Sequence, residues 1–336
     1  MREGWRRSDA ALAPTQAELG RIVALLMPAA MVARAVPASG GLANTNLRVV
    51  LQQAEPGQAV PRMALLRFWQ RDPAAADREV ALLRRLSVGL PVPRVLGFVP
   101  ADPVFGLPCA LLRWMEGQRL DRALASAPQA AAALGEAAGR SLARIHDVTF
   151  ANQGFFDANL AVAQHGPAGA AGLETWLRTC LGREPGASRL GAAAAGAVLA
   201  MVARDGHLLD DPWFVQPCLT HADFNPSNIL VARAGEEWQL TAVLDWEFAF
   251  VGGPAFDLAN LLRPPAGTMA GFDEGVVRGY RAGGGRLPEG WRRMAALADL
   301  YSWADFLARP NSGAELVRDA RAMVLRIAAG ASVGGA

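Results

Sequence analysis

His221-Ala222-Asp223-Phe224-Asn225-Pro226-Ser227-Asn228 runs directly into the apolar segment 229–231, and Val243-Leu244-Asp245-Trp246-Glu247 and then Asp257 follow. The apolar runs 229–231 and 240–244 predict two buried strands, joined by a short turn at 233–236. A hairpin of this kind brings Asn228 and Asp245 to the same end. The stretch therefore gathers a His, an Asn and several carboxylates around one strand–turn–strand unit.

The spacing of these polar residues is typical of phosphoryl-transfer sites. In the catalytic loop of protein kinases, an Asp that orients or deprotonates the acceptor hydroxyl precedes a metal-binding Asn by five residues, as Asp223 precedes Asn228. Magnesium prefers carboxylate and amide oxygens, which Asp245 and Asn228 supply. The pattern predicts Asp223 as the catalytic base and Asn228 and Asp245 as magnesium ligands, with Glu247 as a candidate for indirect support of the metal.

Each of these residues also has an ordinary structural interpretation. His221, Asp223 and Asn225 fit turn and capping positions around Pro226, and Asp257 fits the N-cap of a following helix. The complete set, in this order and spacing, favours the catalytic interpretation.

From about residue 20 to about residue 330 the chain resembles the aminoglycoside phosphotransferase family, the small-molecule branch of the protein-kinase-like fold. The resemblance rests on segments 221–228, 245–247 and 253–259, and on 40–46 and 142–146. It implies an α+β, two-lobed protein-kinase-like fold. The N-lobe is a small antiparallel sheet with one helix, and the C-lobe is larger and mainly helical.

The resemblance also implies a reaction and its participants. ATP and Mg²⁺ would serve as cofactors, and the γ-phosphate would move to a hydroxyl of a small molecule, an antibiotic or a metabolite. Asp223 would be the base, Asn228 and Asp245 would bind magnesium, and His221 and Asp257 would support the catalytic loop. One departure is Ala222, which stands where the family usually has Gly.

A Gly-rich turn and a cation are expected to hold the nucleotide phosphates. Gly40, Gly41 and Asn44 lie in a predicted turn between two strands, where glycines let backbone amides approach phosphate oxygens. Kinases place a Lys on the next strand, but all 33 basic residues of this chain are Arg. Arg67, on the strand predicted over 63–69, is the candidate phosphate ligand, and Glu79, on the helix predicted over 76–87, its partner. The alternative is that Arg67 is an ordinary cation on an edge strand and that Glu79 is a solvated charge on a helix.

The boundary between the lobes is predicted near residue 116. Strands predicted over 95–99 and 107–114 precede a segment that resembles the family's inter-lobe hinge. There the adenine would bond to backbone groups of Arg113, Trp114 and Met115. Residues 1–116 would form the N-lobe and residues 117–336 the C-lobe.

Composition excludes several other classes of protein. A net charge of +2 argues against a nucleic-acid partner, and no segment near the N-terminus predicts a membrane span. Three widely spaced Cys and four His without metal-ligand spacing argue against a disulfide framework or a zinc site. These features predict a cytoplasmic protein with reduced thiols.

The acceptor and two rival functions remain open at this level. A polycationic aminoglycoside would favour a carboxylate-rich pocket, and residues 263–336 contain no such cluster. Its aromatic residues, among them Tyr301 and Trp303, fit a core or alternatively an acceptor pocket. A nucleotide-binding regulatory module without phosphotransfer is the main alternative function. A protein kinase is less favoured because Asp257 follows Asp245 too closely for an activation loop. A monomer and a homodimer are both compatible with the sequence.

Overall fold

The N-terminal part of the chain forms a five-stranded antiparallel sheet flanked by helices. A computed structural model describes residues 10–38, 44–57, 59–164 and 169–334. The elements of this part are α1 (Gln16–Leu26), β1 (Ala30–Pro37), β2 (Thr45–Gln53), β3 (Met63–Phe68), α2 (Ala75–Leu86), β4 (Val95–Val99) and β5 (Cys109–Arg113). The strand order is β1-β2-β3-β5-β4.

Alternation along β3 decides which side chains face the active cleft. Successive side chains of a strand point to opposite faces. Leu66 and Phe68 pack with α1 in one apolar cluster, whereas Trp69 belongs to a second cluster that includes α2. Arg67 shares the face of Trp69, and it therefore meets Glu79 on α2. The pairing predicted between these two residues follows from this period of two.

The C-terminal part is mainly helical, with short strands near its junction with the N-terminal sheet. Its helices are α3 (Leu120–Ser126), α4 (Ala131–His146), α5 (Gly169–Leu181), α6 (Gly186–Leu190), α7 (Ala192–Asp205), α8 (Ala255–Leu261), α9 (Phe272–Ala282), α10 (Trp291–Ala308) and α11 (Ala314–Ala328). Its strands are β6 (Gln118–Arg119), β7 (Phe155–Phe156), β8 (Val162–Gln164), β9 (Cys218–Thr220), β10 (Ile229–Ala234), β11 (Glu237–Val243) and β12 (Phe250–Gly252).

The predicted hairpin is present as β10 and β11. Ala234 pairs with Glu237, so Gly235 and the residue after it form a tight loop, in which Gly235 has a φ of +65°. At the other end the Leu244 N–H donates to the Asn228 carbonyl at 2.8 Å. Asn228 and Asp245 therefore meet at one end of the hairpin, as the sequence predicts.

The predicted α+β class with a small sheet and a larger helical part is confirmed. The lobe boundary at residue 116 stays a prediction; it falls between the end of β5 and the start of β6. Within the described residues, one helical stretch, Ala192–Asp210, is long and apolar enough to cross a membrane by length and composition, and 28% of it is buried. Core helices of other proteins pass the same test.

Helices α4 and α9 cross closely because both carry glycine at the contact. A Cβ on Gly139 would lie 2.2 Å from the Val276 carbonyl oxygen, and one on Gly279 would lie 2.0 Å from the Glu136 carbonyl oxygen. No side chain fits between these backbones. The crossing brings His146, the last residue of α4, within 2.8 Å of the Tyr280 hydroxyl on α9.

We predict that Gly139→Ala lowers the free energy of unfolding by about 1–3 kcal/mol, because the new methyl group forces the helices apart. Gly196→Ala on α7 is the matched control, because a Cβ there meets nothing within 4 Å. That control should raise the free energy of unfolding by about 0.5–1 kcal/mol. Urea unfolding followed by circular dichroism measures both. Equal effects of the two substitutions would contradict close helix packing.

Candidate functional site

The catalytic loop, residues 221–228, holds Asp223 in a fixed orientation. Asn225 Nδ2 donates to Asp223 Oδ1 at 2.7 Å, and Asn228 Nδ2 donates to Asp223 Oδ2 at 2.8 Å. The Asn228 amide also donates to the Asp223 carbonyl at 3.0 Å. Both carboxylate oxygens are thus positioned by amide donors, while the side-chain oxygen of Asn228 is left for another partner.

His221 lies buried beneath this loop and connects it to the hairpin. Its Nδ1 faces the Asp223 backbone N–H at 3.2 Å, so Nδ1 accepts. Its Nε2 lies 2.9 Å from the Leu244 carbonyl, which can only accept, so Nε2 carries the proton. The imidazole is therefore neutral, and it joins the loop to the residue that precedes Asp245.

Asp257 supports the loop from below with a fully buried carboxylate. Its two oxygens accept from the backbone N–H groups of His221 and Ala222, each at 2.8 Å. His146 Nε2 lies 3.3 Å from the same carboxylate, and Tyr280 holds the other ring nitrogen. Asp257 lies in the first turn of α8 and is not its N-cap. The α4–α9 crossing thus supports the residue that shapes the catalytic loop.

Two non-glycine residues of the site have left-handed backbone conformations. The φ of Ala222 is +64° and that of Asp245 is +67°. For an L-residue this region costs about 1–2 kcal/mol, although Asp tolerates it better. Such strain persists only where surrounding bonds impose it, as Asp257 does at Ala222.

Arg67 lies at the centre of a buried charge cluster. Its Nη2 is 2.7 Å from Asp245 Oδ1, 3.1 Å from Glu79 Oε2 and 3.5 Å from Glu247 Oε2. Glu79 also accepts from the Trp69 indole N–H at 2.7 Å. The N-lobe strand and helix are therefore joined through one guanidinium to both acidic residues that follow the hairpin.

Glu247 receives further bonds from the N-lobe. Arg71 Nη2 contacts Glu247 Oε1 at 2.8 Å, and Asn44 Nδ2 donates to Glu247 Oε2 at 2.7 Å. Arg78 on α2 donates to the Glu247 carbonyl at 3.2 Å. Glu247 is 6% exposed. It is thus a connection between the lobes, beside the predicted metal ligand.

Burial and charge shift the pKa values in this cluster in a consistent way. Burial by itself would lower the pKa of Arg67, but the carboxylates of Glu79, Asp245 and Glu247 outweigh it and raise this pKa. Burial raises the pKa of Glu79 above its usual range, although Arg67 opposes the shift. Burial, reinforced by Asp245, raises the pKa of Glu247 to about 7. Three carboxylates thus share two guanidinium groups, Arg67 and Arg71.

The donor set suits magnesium better than zinc. In the part of the chain that the structure describes, no group of three or more His, Cys, Asp and Glu side chains could hold a metal. One carboxylate and one amide oxygen, from Asp245 and Asn228, match the few protein ligands that magnesium takes beside water and phosphate. The side chain of Asp245 is 33% exposed, so it is open to such a ligand.

Comparison with known families agrees with this geometry. A family model described as the phosphotransferase enzyme family matches residues 34–297, which is most of the chain. The chain belongs to the phosphotransferase enzyme family. No curated protein matches its sequence.

Solved structures show that the phosphotransferase has the two-lobed protein-kinase-like fold. The GDP complex of aminoglycoside 2′-phosphotransferase-IIIa aligns with a TM-score of 0.66 at 15% identity, over 94% of this chain and 99% of that chain. The gentamicin complex of APH(2″)-IIa aligns with a TM-score of 0.63 at 16% identity, over 94% and 97%. A proposed fructosamine-3-kinase from Haemophilus somnus 129PT aligns with a TM-score of 0.60 at 14% identity, over 92% and 96%.

The other predicted nucleotide contacts of the phosphotransferase are not part of the charge cluster, and two of them lie outside the described residues. Gly40 and Gly41 lie outside the described residues. Arg113 ends β5, and Trp114 and Met115 follow it, half-buried. Among the described residues, the backbone groups of Trp114 and Met115 make no hydrogen bond.

Several residues of the phosphotransferase site were not assigned a role from the sequence. Asn225 was expected only as a turn residue, yet it orients Asp223. Arg71 and Arg78 were missed because their partner, Glu247, is 176 and 169 residues away in the chain. His146, at the end of α4, is buried against Asp257. The sequence carries no local signal for the long-range pairs.

We predict that Ala222→Gly raises the free energy of unfolding by about 0.5–1 kcal/mol. Glycine adopts the left-handed conformation without strain. The free energy gained in this way exceeds the cost of the extra conformational entropy that the more flexible chain loses on folding. Ala232→Gly in β10 is the control, where ordinary strand geometry should give a loss of about 0.5–1 kcal/mol. Urea unfolding decides, and destabilisation by both substitutions would contradict the strain at Ala222.

A second prediction concerns the pH dependence of stability. Because the pKa of Glu247 is about 7 in the folded chain and about 4.5 when unfolded, the folded state binds more protons between these values. The free energy of unfolding therefore falls as pH rises through this window, by up to about 3 kcal/mol. Glu247→Gln removes this loss, so the variant should gain stability relative to wild type between about pH 5 and about pH 8.

The measurement is urea unfolding at both pH values, without magnesium or nucleotide. The exposed Glu289→Gln is the control, and its difference from wild type should not change with pH. A Glu247→Gln difference that is the same at both pH values would show that Glu247 ionises normally.

Proposed function

We propose that this phosphotransferase moves the γ-phosphate of ATP to a hydroxyl of a small molecule, with the help of Mg²⁺. One observation carries the proposal. Asn228 bonds through its side chain to Asp223 and through its carbonyl to Leu244, the neighbour of Asp245. The residues needed for proton transfer and for metal binding are therefore held together by one amide residue.

Asp223 takes the proton of the acceptor in this proposal. The acceptor O–H bond breaks, its oxygen forms a bond with the γ-phosphorus, and the bond from that phosphorus to the departing ADP oxygen breaks. The proton passes to the Asp223 carboxylate. The donors Asn225 and Asn228 hold that carboxylate in one orientation, which favours an in-line approach of the acceptor oxygen.

Asn228 and Asp245 hold the magnesium ion in this proposal. Bound magnesium neutralises charge on the phosphate oxygens during transfer. Asp245 is the partly exposed carboxylate of the cluster and is open to a cation, whereas Glu79 and Glu247 are buried around Arg67. Glu247 would act indirectly, by fixing the segment that carries Asp245.

Arg67 is the proposed contact to the nucleotide phosphates. Its Nε is buried and has no hydrogen-bond partner among the described residues. The side-chain oxygen of Asn46, directly across on β2, is likewise buried without a partner. Paired residues of neighbouring strands share a face, so these two atoms suit a polar ligand on the α2 side of the sheet. The backbone groups of Trp114 and Met115 are the proposed contacts to the adenine, at the boundary near residue 116. The cytoplasmic location expected from the sequence remains part of this proposal.

Asp223→Asn and Asp245→Asn separate the two roles. Asp223→Asn should lower phosphate transfer by about 10²–10⁴-fold while magnesium-dependent ATP binding persists. Asp245→Asn should weaken that binding itself. Asp319→Asn on α11 is the control and should leave both unchanged.

The measurement combines calorimetric ATP binding, with and without magnesium, and coupled ATP consumption over aminoglycosides, macrolides, amino alcohols and sugars. Full transfer by Asp223→Asn would contradict the proposed base. A wild-type chain that neither binds ATP with magnesium nor consumes it would contradict the proposed function. Labelled phosphate entering generic protein substrates would instead indicate a protein kinase.

A further inference from the structure

A row of aromatic side chains lies beside the catalytic loop. Neighbouring ring centroids are 5.5, 5.3, 5.7 and 6.3 Å apart along it. The rings come from β7, β12, α8, α10 and α5 and share no local sequence pattern. In order, the members of this aromatic row are Phe155, Phe250, Phe256, Tyr301 and Trp176.

Two members of the aromatic row are tied to the segment that carries Asp223. Phe256 directly precedes Asp257, whose carboxylate holds the backbone of the catalytic loop. Phe250 pairs with Thr220, the residue before His221. The segments that carry two rings of the row are therefore joined directly to the catalytic loop.

The two ends of the aromatic row are exposed, its second and fourth rings are buried, and the central ring, Phe256, is half-buried. Phe155 is 42% exposed and Trp176 is 36% exposed, whereas Phe250 and Tyr301 are 7% and 8% exposed. Exposed apolar groups that continue into a buried cluster mark binding surfaces more often than isolated ones.

The Tyr301 hydroxyl lacks a partner. It is buried and makes no hydrogen bond among the described residues. Native structures rarely leave a buried hydroxyl without a partner, so each case calls for a ligand, a water or a functional explanation. This hydroxyl belongs to a ring of the row and thus offers one polar contact within an apolar surface.

Arginine is absent from the aromatic row, in contrast to the rest of the described chain. Elsewhere an arginine lies over the ring of eight other aromatic side chains. The described residues place none over a ring of the row. Two carboxylates flank the row on α5 and α10, Glu174 and Asp305, and each is already paired with an arginine, Arg178 and Arg309, whereas a polycationic sugar would require free carboxylates. The rings of the row follow one another in a line. They therefore do not surround a single ammonium group, whereas the rings of an aromatic cage do.

We propose that the aromatic row is the acceptor subsite, and that it selects hydroxylated molecules with an extended apolar ring surface over polycationic aminoglycosides. This inference rests on the phosphotransfer proposed above. The apolar surface of the acceptor lies along the row, and Tyr301 bonds to a polar group of the acceptor. The hydroxyl to be phosphorylated then reaches Asp223.

Binding can test the inference separately from catalysis. Calorimetry on Asp223→Asn, with no nucleotide, would use four probes: a macrolide, a naphthyl-substituted alcohol, kanamycin and choline. We expect at least one of the first two to bind more tightly than kanamycin and choline. Trp176→Ala should weaken that binding by roughly 10-fold, because a stacking surface is lost. Trp238→Ala, which removes a partly buried indole near the turn of the β10–β11 hairpin, is the control and should leave binding unchanged.

Tyr301→Phe distinguishes a ligand contact from a structural role. The ring remains and the hydroxyl has no internal partner, so the urea midpoint should not fall. Affinity for the bound apolar probe should drop several-fold. An unchanged affinity together with a lower midpoint would overturn the role of Tyr301.

The two proposals fail in different ways. Preferred binding of kanamycin or choline, or no binding by either apolar probe, would overturn the acceptor inference. In either case Asp223-dependent transfer to another class of molecule would leave the phosphotransfer intact. Apolar probes that bind along the row, in a chain that never consumes ATP, would support the subsite and count against the reaction.

Discussion

The active cleft of this phosphotransferase depends on one buried cation. Arg67 contacts Glu79, Asp245 and Glu247 within 3.5 Å, and these partners come from α2 and from the segment after the hairpin. Without the guanidinium, the two buried carboxylates of Glu79 and Glu247 would lose this cation, and an unpaired buried charge costs several kcal/mol. The ion pairs therefore hold Asp245 in place, and they join the N-terminal sheet to the C-terminal lobe.

The buried carboxylate of Asp257 holds the catalytic loop in place, as the guanidinium of Arg67 holds the residues of the cleft. Asp257 binds two successive backbone N–H groups, and that grip maintains the left-handed conformation at Ala222. Its own position depends on His146 and Tyr280, which meet because glycines let α4 and α9 approach. Helix packing far from the cleft thus sets the geometry of the loop that presents Asp223.

The two halves of the site differ in chemical character. The cleft side is rich in charge, with carboxylates that suit a metal ion and guanidinium groups that suit phosphates. The side along the aromatic row is apolar and has one unpartnered hydroxyl, Tyr301. A charged reaction centre beside an apolar wall suits an acceptor that is recognised by its ring surface and is oriented by few polar contacts.

The amino-acid sequence by itself determined the local structure and the spacing of the residues proposed for catalysis. The strand predicted over 95–99 appears with those bounds, the helix predicted over 76–87 is displaced by one residue, and the hairpin brings Asn228 and Asp245 together. Short-range periodicity and turn chemistry decide such features, because they involve neighbouring residues. Only the tertiary structure decided that Glu247 would bind Asn44 and Arg71, and that five separate rings would form one row. These contacts join residues that are far apart in the chain. From the sequence alone their side chains fit a solvated charge or an ordinary core position, because the contacts form only when the lobes and helices pack together.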